Sequence, residues 1–469
     1  MIFYQEDTKM VDQKTRETLD GILKNYEGEM VKTLQKWVRI PSVRAEAVPG
    51  APYGEQVQKM LETAMADCAA MGFETASFDG HAGHADLGTG DPRDALAILA
   101  HLDVVPEGTG WDDEPYSGLV KDGKIFGRGT SDDKGPAVAA LYAMKAVKEA
   151  GIPLKRRVRL ILGCDEEVGG GEDLEYYASK TVMPRSGFSP DASYPVINIE
   201  KGGMHLIIEG KTCDKGLQVI SMNAGTRPNV IPGYAEVLVE KVPGLAEKAN
   251  ALNMGFKVEA KETEQGVLIS TTGVLGHAAM PEHAKNAIGQ LLLVLKELGV
   301  QGDLLRLADV IGTSFDGKGL GIAMEDVLSG KLTASMDLFK VEKGAVSAVI
   351  DIRFPLTAGQ NELLSLARMA LPGMNLSVDA CRGGHYVPAD SELVTGLLKA
   401  YENITGEKGE TIAIGGGTYA HYMEEGVAFG ATFPWEEDVA HQSNEYMRLE
   451  TLYRNMRIFA NTIVELAAE

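Results

Sequence analysis

Two short runs constrain this chain more than anything else in it. Ala95–Ala100 (ALAILA) and Val158–Leu162 (VRLIL) have the length and apolar composition of buried strands, and a helical stretch, Gly135–Ala150 stopped by Gly151, lies between them. Strands joined through a helix lie parallel in a sheet covered on both faces. The first third therefore reads as an α/β domain with a central, largely parallel sheet. Tyr194–Ile199 (YPVINI) is read as a further strand of that sheet, and Glu55–Met71 as another helix, ended by Gly72.

After Gly202 the texture changes. Strand candidates at Leu217–Met222, Glu236–Glu240, Gly266–Ser270 and Val346–Arg353 mix with amphipathic helices such as Asn286–Leu298, which predicts an α+β module. A Gly/Pro-containing stretch, Cys381–Asp390, closes it, and the chain then returns to helix, an apolar Gly-rich segment from Thr411 and a last helix from Leu449. The expected architecture is a discontinuous α/β domain of residues 1–202 and 386–469 with an α+β insert of residues 203–385. A length of 469 residues suits two domains, and a 44% hydrophobic composition excludes disorder.

Charge and leader signals narrow the function classes. The balance of 45 basic against 67 acidic residues gives −22, which opposes binding to nucleic acid or anionic membranes and suits a protein that holds cations or small zwitterions. No apolar run approaches the ~18 residues of a membrane span, and the acidic start does not read as a secretory signal, so a soluble cytoplasmic protein is expected. Four scattered cysteines without C-x-x-C read as reduced, mostly buried thiols.

The chemistry gathers where the strands end. His101-Leu102-Asp103 follows ALAILA, Asp165-Glu166-Glu167 follows VRLIL, Asp191 precedes YPVINI, and Asp132-Asp133 opens the helix at Gly135. Open α/β sheets bind ligands beyond the carboxyl ends of their strands. Imidazole and carboxylate are ligands for Zn²⁺ and Mn²⁺, and a metal pair needs one bridging carboxylate plus terminal ligands on each ion. In His101-x-Asp103 the two side chains would point the same way, letting Asp103 orient the ring. Glu166 and Glu167 would point oppositely if extended, one to a metal and the other to a water as general base. Taken singly these are ordinary features: H-x-D is common, E-E is usually a solvated face, and Asp132-Asp133 is equally a helix N-cap. Their weight comes from falling together at strand ends or a helix start.

These motifs, with AHLDVVPEGTGWDDEPYSGLVKDGKIFGRGTSDDKGP from Ala100, GCDEEVGGGED from Gly163, PDASYPVINIEKG from Pro190 and AHQSNE from Ala440, resemble the M20 metallopeptidases, and within them bacterial dipeptidases of the PepV type. The likeness continues through NVIP from Asn229, LGHAAMPEHAKNA from Leu275, DIRFP from Asp351, HYVPADSELV from His385 and GGGTYA from Gly415, covering nearly the whole chain in order. It implies a catalytic α/β domain with the insert as lid.

By that resemblance, His101 and Asp191 are terminal ligands of one Zn²⁺, Glu167 and His441 of a second, and Asp132 bridges them, with Mn²⁺ or Co²⁺ as substitutes. Asp103 supports the ligands, and Glu166 is the general base for a water between the metals. The Asp132-Asp133 link matches a cis non-proline peptide of the family. In the lid, His277 stabilises the oxyanion, Asn229 and Arg353 bind substrate, Arg353 by its C-terminal carboxylate, and Gly416 and Gly417 let backbone approach it. The resemblance thus implies a zinc-dependent dipeptidase whose partner is a small peptide. Its 183-residue insert implies a monomer, since a doubled lid supplies His277 in cis where dimeric relatives borrow a His from a neighbour. Alternatives are an N-acyl or succinyl amino-acid deacylase or a carboxypeptidase of the same clan, and a non-catalytic metal- or peptide-binding protein on the same scaffold. Glu166 argues against the last, since a binder needs no base.

Overall fold

A computed structural model describes residues 13–168 and 171–469. It contains two compact units, one formed by residues up to Asn198 with Val387–Ile412 and Gly417–Glu469, the other by Ile199–Tyr386 with Ala413–Gly416. Residues 169 and 170, in the Gly-rich run after Glu167, and the acidic start up to residue 12 lie outside the described residues.

The first unit is built on a mixed sheet. Its strands β1 (Glu74–Phe78), β2 (Ala82–Leu87), β3 (Leu96–His101), β4 (Val158–Gly163), β5 (Ser186–Ser189), β6 (Val196–Glu200) and β7 (Glu425–Ala428) run in the order β1-β2-β4-β3-β5-β7-β6. The four central strands, β4, β3, β5 and β7, are parallel. Strand alternation splits β3 between two cores: Leu96, Ile98 and Ala100 join the larger one, while Ala97 and Leu99 pack with Ile161, Leu174, Tyr177 and Tyr419 on the other face. The larger core takes in the buried sides of helices Gln13–Val38, Glu55–Ala70, Lys134–Glu149 and Leu449–Ala467. The Glu55 and Lys134 helices are each followed by a left-handed glycine, Gly72 or Gly151, a conformation that only glycine adopts cheaply. The one charge inside VRLIL is also accounted for, because Arg159 stands directly opposite Asp86 on β2 and makes two 2.8 Å bonds to its carboxylate.

Two sequence expectations change here. YPVINI does not lie parallel in the sheet: β6 meets β7 antiparallel at Ala428↔Ile197. Only residues 190–195 separate β5 from β6, too few for the crossover of a dozen or more residues that a parallel return requires. Conversely, β5 was not anticipated. Its sequence, SGFS, carries no strand signature, and Gly187 stands directly beside Ala97 of β3, where a Cβ would lie 2.3 Å from the Ala97 carbonyl oxygen. All four thiols are free, as expected, but only Cys68 and Cys164 are buried; Cys381 is exposed on an edge strand.

The second unit is a two-layer α+β module. Eight antiparallel strands run in the order Val258–Glu262, Val267–Thr272, Tyr234–Val239, Val219–Ala224, Thr333–Glu342, Ala345–Phe354, Gly202–Lys211 and Asn375–Arg382. The helix Ala287–Leu298 packs on this sheet, and Asn286 caps it by accepting the Gly289 N–H at 3.1 Å.

Candidate metal centre

The first unit brings together residues from five separated segments. His101 ends β3, Glu166 and Glu167 form a turn just after β4, Asp191 follows β5, Asp132 lies just before the helix Lys134–Glu149, and His441 sits in the segment before Tyr446–Arg448. Asp132 is the centre of the group. Its Oδ1 lies 2.9 Å from His101 Nε2, and its Oδ2 3.0 Å from His441 Nε2. Each imidazole also meets a second carboxylate: Asp191 Oδ2 is 3.7 Å from His101 Nε2, and Glu167 Oε2 is 2.9 Å from His441 Nε2. Donor atoms of His101, Glu166 and Asp191 all lie within 4.8 Å of one another, as do those of His101, Asp132 and Glu167. The Asp132-Asp133 peptide is cis.

The supporting contacts differ in detail from those the sequence suggests. The chain after His101 leaves the strand, so His101 Nδ1 makes its shorter contact with the backbone carbonyl of Asp103, at 3.0 Å, and lies 3.4 Å from the carboxylate. That carboxylate instead accepts the N–H groups of Glu166 at 3.2 Å and Glu167 at 3.1 Å. These two glutamates are therefore not extended; a turn gathered around Asp103 separates their jobs, and Glu167 is held further by the Val105 N–H on Oε1 at 3.1 Å. Asp133 is not a cap by its side chain either. Its Oδ2 accepts the His101 N–H at 3.2 Å, tying the helix start to the end of β3.

Other supports were missed. Asp173 is buried and accepts the N–H groups of Cys164 and Asp165 and the hydroxyl of Tyr419, bracing the turn that carries Glu166. Glu445 is buried beneath the Asp132 loop. Asp173 lies in an ordinary acidic helix start, which gave it no signal. Glu445 closes the HQSNE run and had one.

The electrostatics are those of carboxylates crowded around two imidazoles. Burial pushes Glu166 up to about 8, and although His101 pulls it down, the charges of Glu167 and Asp132 add to the rise. Asp191 is raised by burial and then by Asp132, while Asp132 itself, despite burial, is held well below the usual carboxylate range by its bonds to His101 and His441. Burial disfavours the His441 cation, yet bonds to Asp132 and Glu167 lift it to about 11. Among the described residues no Lys or Arg pairs with Asp132, Glu166, Glu167 or Asp191. Two imidazoles and four carboxylates, with no Lys or Arg among the described residues to answer the surplus of negative charge, form a donor set that fits hard or borderline divalent metal.

The second unit holds the remaining candidates. Val230 pairs with His277 across a short antiparallel ladder, and the Asn229 carbonyl accepts the Ala278 N–H at 3.0 Å. The Ala279 N–H donates to His277 Nδ1 at 3.1 Å, which leaves the proton of a neutral ring on Nε2. Arg353 is partly committed: Nε and Nη2 clasp Asp351 at 2.6 and 2.7 Å, and Nη1 donates to the Gly415 carbonyl at 3.1 Å. Its Nη1/Nη2 end is the edge left for a second carboxylate. Gly416 has room for a Cβ, whose nearest neighbour would be 3.6 Å away; the crowded glycine is Gly415, at 3.0 Å from Ala279. Gly417 falls in the first unit.

Such a donor set at the strand ends of an α/β sheet is that of a divalent-metal site. The model of Peptidase family M20/M25/M40 matches residues 97–465, and the chain belongs to that family, a family of metal-dependent peptide hydrolases. YtjP of Bacillus subtilis (strain 168) is 35% identical over 459 residues, covering 94% of this chain and 97% of the relative. Beta-Ala-Xaa dipeptidase of Lactobacillus delbrueckii subsp. lactis is 33% identical over 463 residues, covering 96% and 97%. Among solved structures, human carnosine dipeptidase 1 superposes with a TM-score of 0.58 at 16% identity, covering 96% of this chain and 99% of that one, and so shares the fold. Among the described residues no helix is long and apolar enough to cross a membrane.

Proposed function

We propose that this chain is a cytoplasmic, monomeric dipeptidase working with two zinc ions. The observation that carries the reading is the division of Asp132, one oxygen facing His101 and the other His441, with Asp191 and Glu167 completing the two halves. In this reading His101 and Asp191 hold one ion, Glu167 and His441 the other, and Asp132 both. When bound, such a pair polarises a carbonyl and lowers the pKa of water to about 7.

The chain's own groups do the rest. Glu166 takes the proton of the water that attacks the scissile carbonyl carbon and delivers it to the leaving amine as the C–N bond breaks. Its part-buried carboxylate has the raised proton affinity a general base needs near neutral pH. His277 donates from Nε2 to the carbonyl oxygen as it gains charge, a role in which one donor contributes ~3 kcal/mol. Arg353 holds the α-carboxylate with its Nη1/Nη2 end, beside Asn229, and Gly416 and Gly417 line the substrate's path. The acidic cluster favours a free ammonium at the other end. The relatedness to a Beta-Ala-Xaa dipeptidase supports the same substrate class.

The test is a panel of dipeptides, tripeptides and N-acyl amino acids assayed with Zn²⁺- or Mn²⁺-loaded protein. Dipeptides are expected to be turned over at least about tenfold faster than tripeptides, with N-acetylation or C-amidation depressing kcat/KM, because orientation by both ends is lost. Hydrolysis of N-acyl amino acids with dipeptides untouched overturns the reading in favour of a deacylase. A stable dimer in sedimentation overturns the monomer.

A further inference from the structure

Three buried carboxylates brace the turns of the metal centre, and they do different work. Asp103 and Asp173 each gather N–H groups around the turn after β4. Glu445 instead joins two segments that both carry a cluster residue. Its Oε1 accepts the backbone N–H groups of Ser131 at 2.8 Å, Gly129 at 3.0 Å and Asp132 at 3.3 Å. Its Oε2 accepts from Arg128 Nη1 at 2.6 Å in a pair with both side chains almost wholly buried. Its own carbonyl accepts the Gly127 N–H at 2.9 Å.

The sequence around Glu445 continues the same zipper. Tyr446–Arg448 pairs antiparallel with Lys124–Phe126, Tyr446 opposite Phe126, so the two segments are in register immediately before the Asp132 loop. On the other side, Asn444 adopts a left-handed conformation and its side-chain oxygen accepts the Asp112 N–H at 2.8 Å; His441, also left-handed, then turns its ring to Asp132. The loop of Asp132 and the segment of His441 are thus fastened to each other through one carboxylate. An imidazole and a bridging carboxylate far apart in sequence need some such clasp, because backbone loops alone leave each free to move. A carboxylate that converges several N–H dipoles is a strong acceptor, and the buried guanidinium fixes its orientation.

We propose that Glu445 is a positioning residue that sets Asp132 and His441 at metal-binding separation before any metal arrives; the inference rests on the reading of the cluster as a divalent-metal centre. Glu445→Gln keeps the shape but turns an amide against the Arg128 donor, and Glu445→Asp keeps the charge but withdraws it by one methylene. With Co²⁺ as probe, equilibrium dialysis and the visible d–d spectrum report affinity and geometry without turnover. Both variants are expected to bind Co²⁺ about tenfold more weakly than the parent at the half holding His441, with an altered spectrum. For a dipeptide substrate at limiting metal, kcat is expected to fall about tenfold while KM stays within about twofold, a split that general loss of structure does not give. In the metal-free parent, the amides of Gly129, Ser131 and Asp132 are expected to exchange at least about a hundredfold more slowly than in an unstructured peptide. Free exchange of those amides, or a folded variant with parental Co²⁺ affinity and spectrum, overturns the proposal. A parent chain that binds no Co²⁺ while its amides are protected overturns the metal reading and this inference with it.

Discussion

In the eight-stranded sheet, Asp351 is buried beside Arg353, which clasps both of its oxygens, and beside His205 at 3.4 Å. At the ends of β3, β4 and β5, four carboxylates meet two imidazoles and no Lys or Arg among the described residues. Asp351 is buried and the four cluster carboxylates are part-buried, and the balance of charge differs as well. Burial would raise Asp351, yet His205 and Arg353 hold it below the usual range, whereas Glu166 and Asp191 remain raised. Asp351, clasped by a guanidinium, is part of the scaffold, whereas Glu166 and Asp191 share the His101 imidazole with Asp132 and repel one another, which is the balance of a cation-binding donor set.

The contrast yields its largest expected effect at Glu166. Glu166→Gln is expected to cut kcat by roughly a thousandfold, the scale of general acid–base catalysis, while metal content by elemental analysis and Tm stay parental. Near-parental turnover with metal in place removes Glu166 from its role. On the other unit, Arg353→Ala is expected to act on substrate binding instead, raising KM for dipeptides about ten- to a hundredfold and erasing the preference for a free carboxylate over its amide. Steady-state assays on both substrates decide this. A change confined to kcat would move Arg353 out of the binding role.

Metal removal separates the units next. Glu167→Ala and His441→Ala are each expected to lose one equivalent of metal, read by elemental analysis after dialysis. For the parent, Zn²⁺ in thousandfold excess over its Kd is expected to add about 4 kcal/mol of stability. The gain should be larger at pH 8 than at pH 6. Glu167 and Asp191, each raised by burial and then by the charge of Asp132, have their proton affinity raised by folding, so their contribution to the metal-free fold is present below the usual carboxylate range and lost as pH rises through their folded values. Metal needs the ionised form and replaces that loss. Thermal melts with and without Zn²⁺ at the two pH values test it; equal shifts would show that the cluster does not bind as a carboxylate site.

The smallest effect lies in the antiparallel sheet. Asp337 is fully buried with one oxygen bonded to Ser335, and burial pushes it up to about 8, Ser335 and Arg353 lowering it and Asp351 raising it. Its folded-state value exceeds the unfolded one, so it contributes stability below pH 3.8 that is lost as pH rises through about 8. Asp337→Asn, a neutral match, is expected to raise Tm by a few degrees at pH 8 and by less at pH 5. A uniform shift would show that Asp337 ionisation is not what limits the sheet.

Much of the cluster was legible because its members stand beside elements with strong local signals. His101 follows ALAILA and Glu166-Glu167 follow VRLIL, and an apolar run between helices announces both a strand and the strand end where ligands gather. The supports were less legible. Nothing in H-x-D says that Asp103 will spend its carboxylate on two N–H groups of another loop, and nothing in SGFS announces a strand in which Gly187 stands directly beside Ala97 of β3.

The sequence by itself determined which segments become buried strands and amphipathic helices, because periodicity and glycine stops are local properties of a chain seeking to bury its apolar groups. It also placed the ionisable residues at the ends of those strands. Only the tertiary structure decided that β6 returns antiparallel, that Asp132 is shared between two imidazoles, and that Arg353 is answered by Asp351 on its own strand. These are relations between segments, set by link length, strand order and the geometry in which many hydrogen bonds close at once. Local composition carries no record of them.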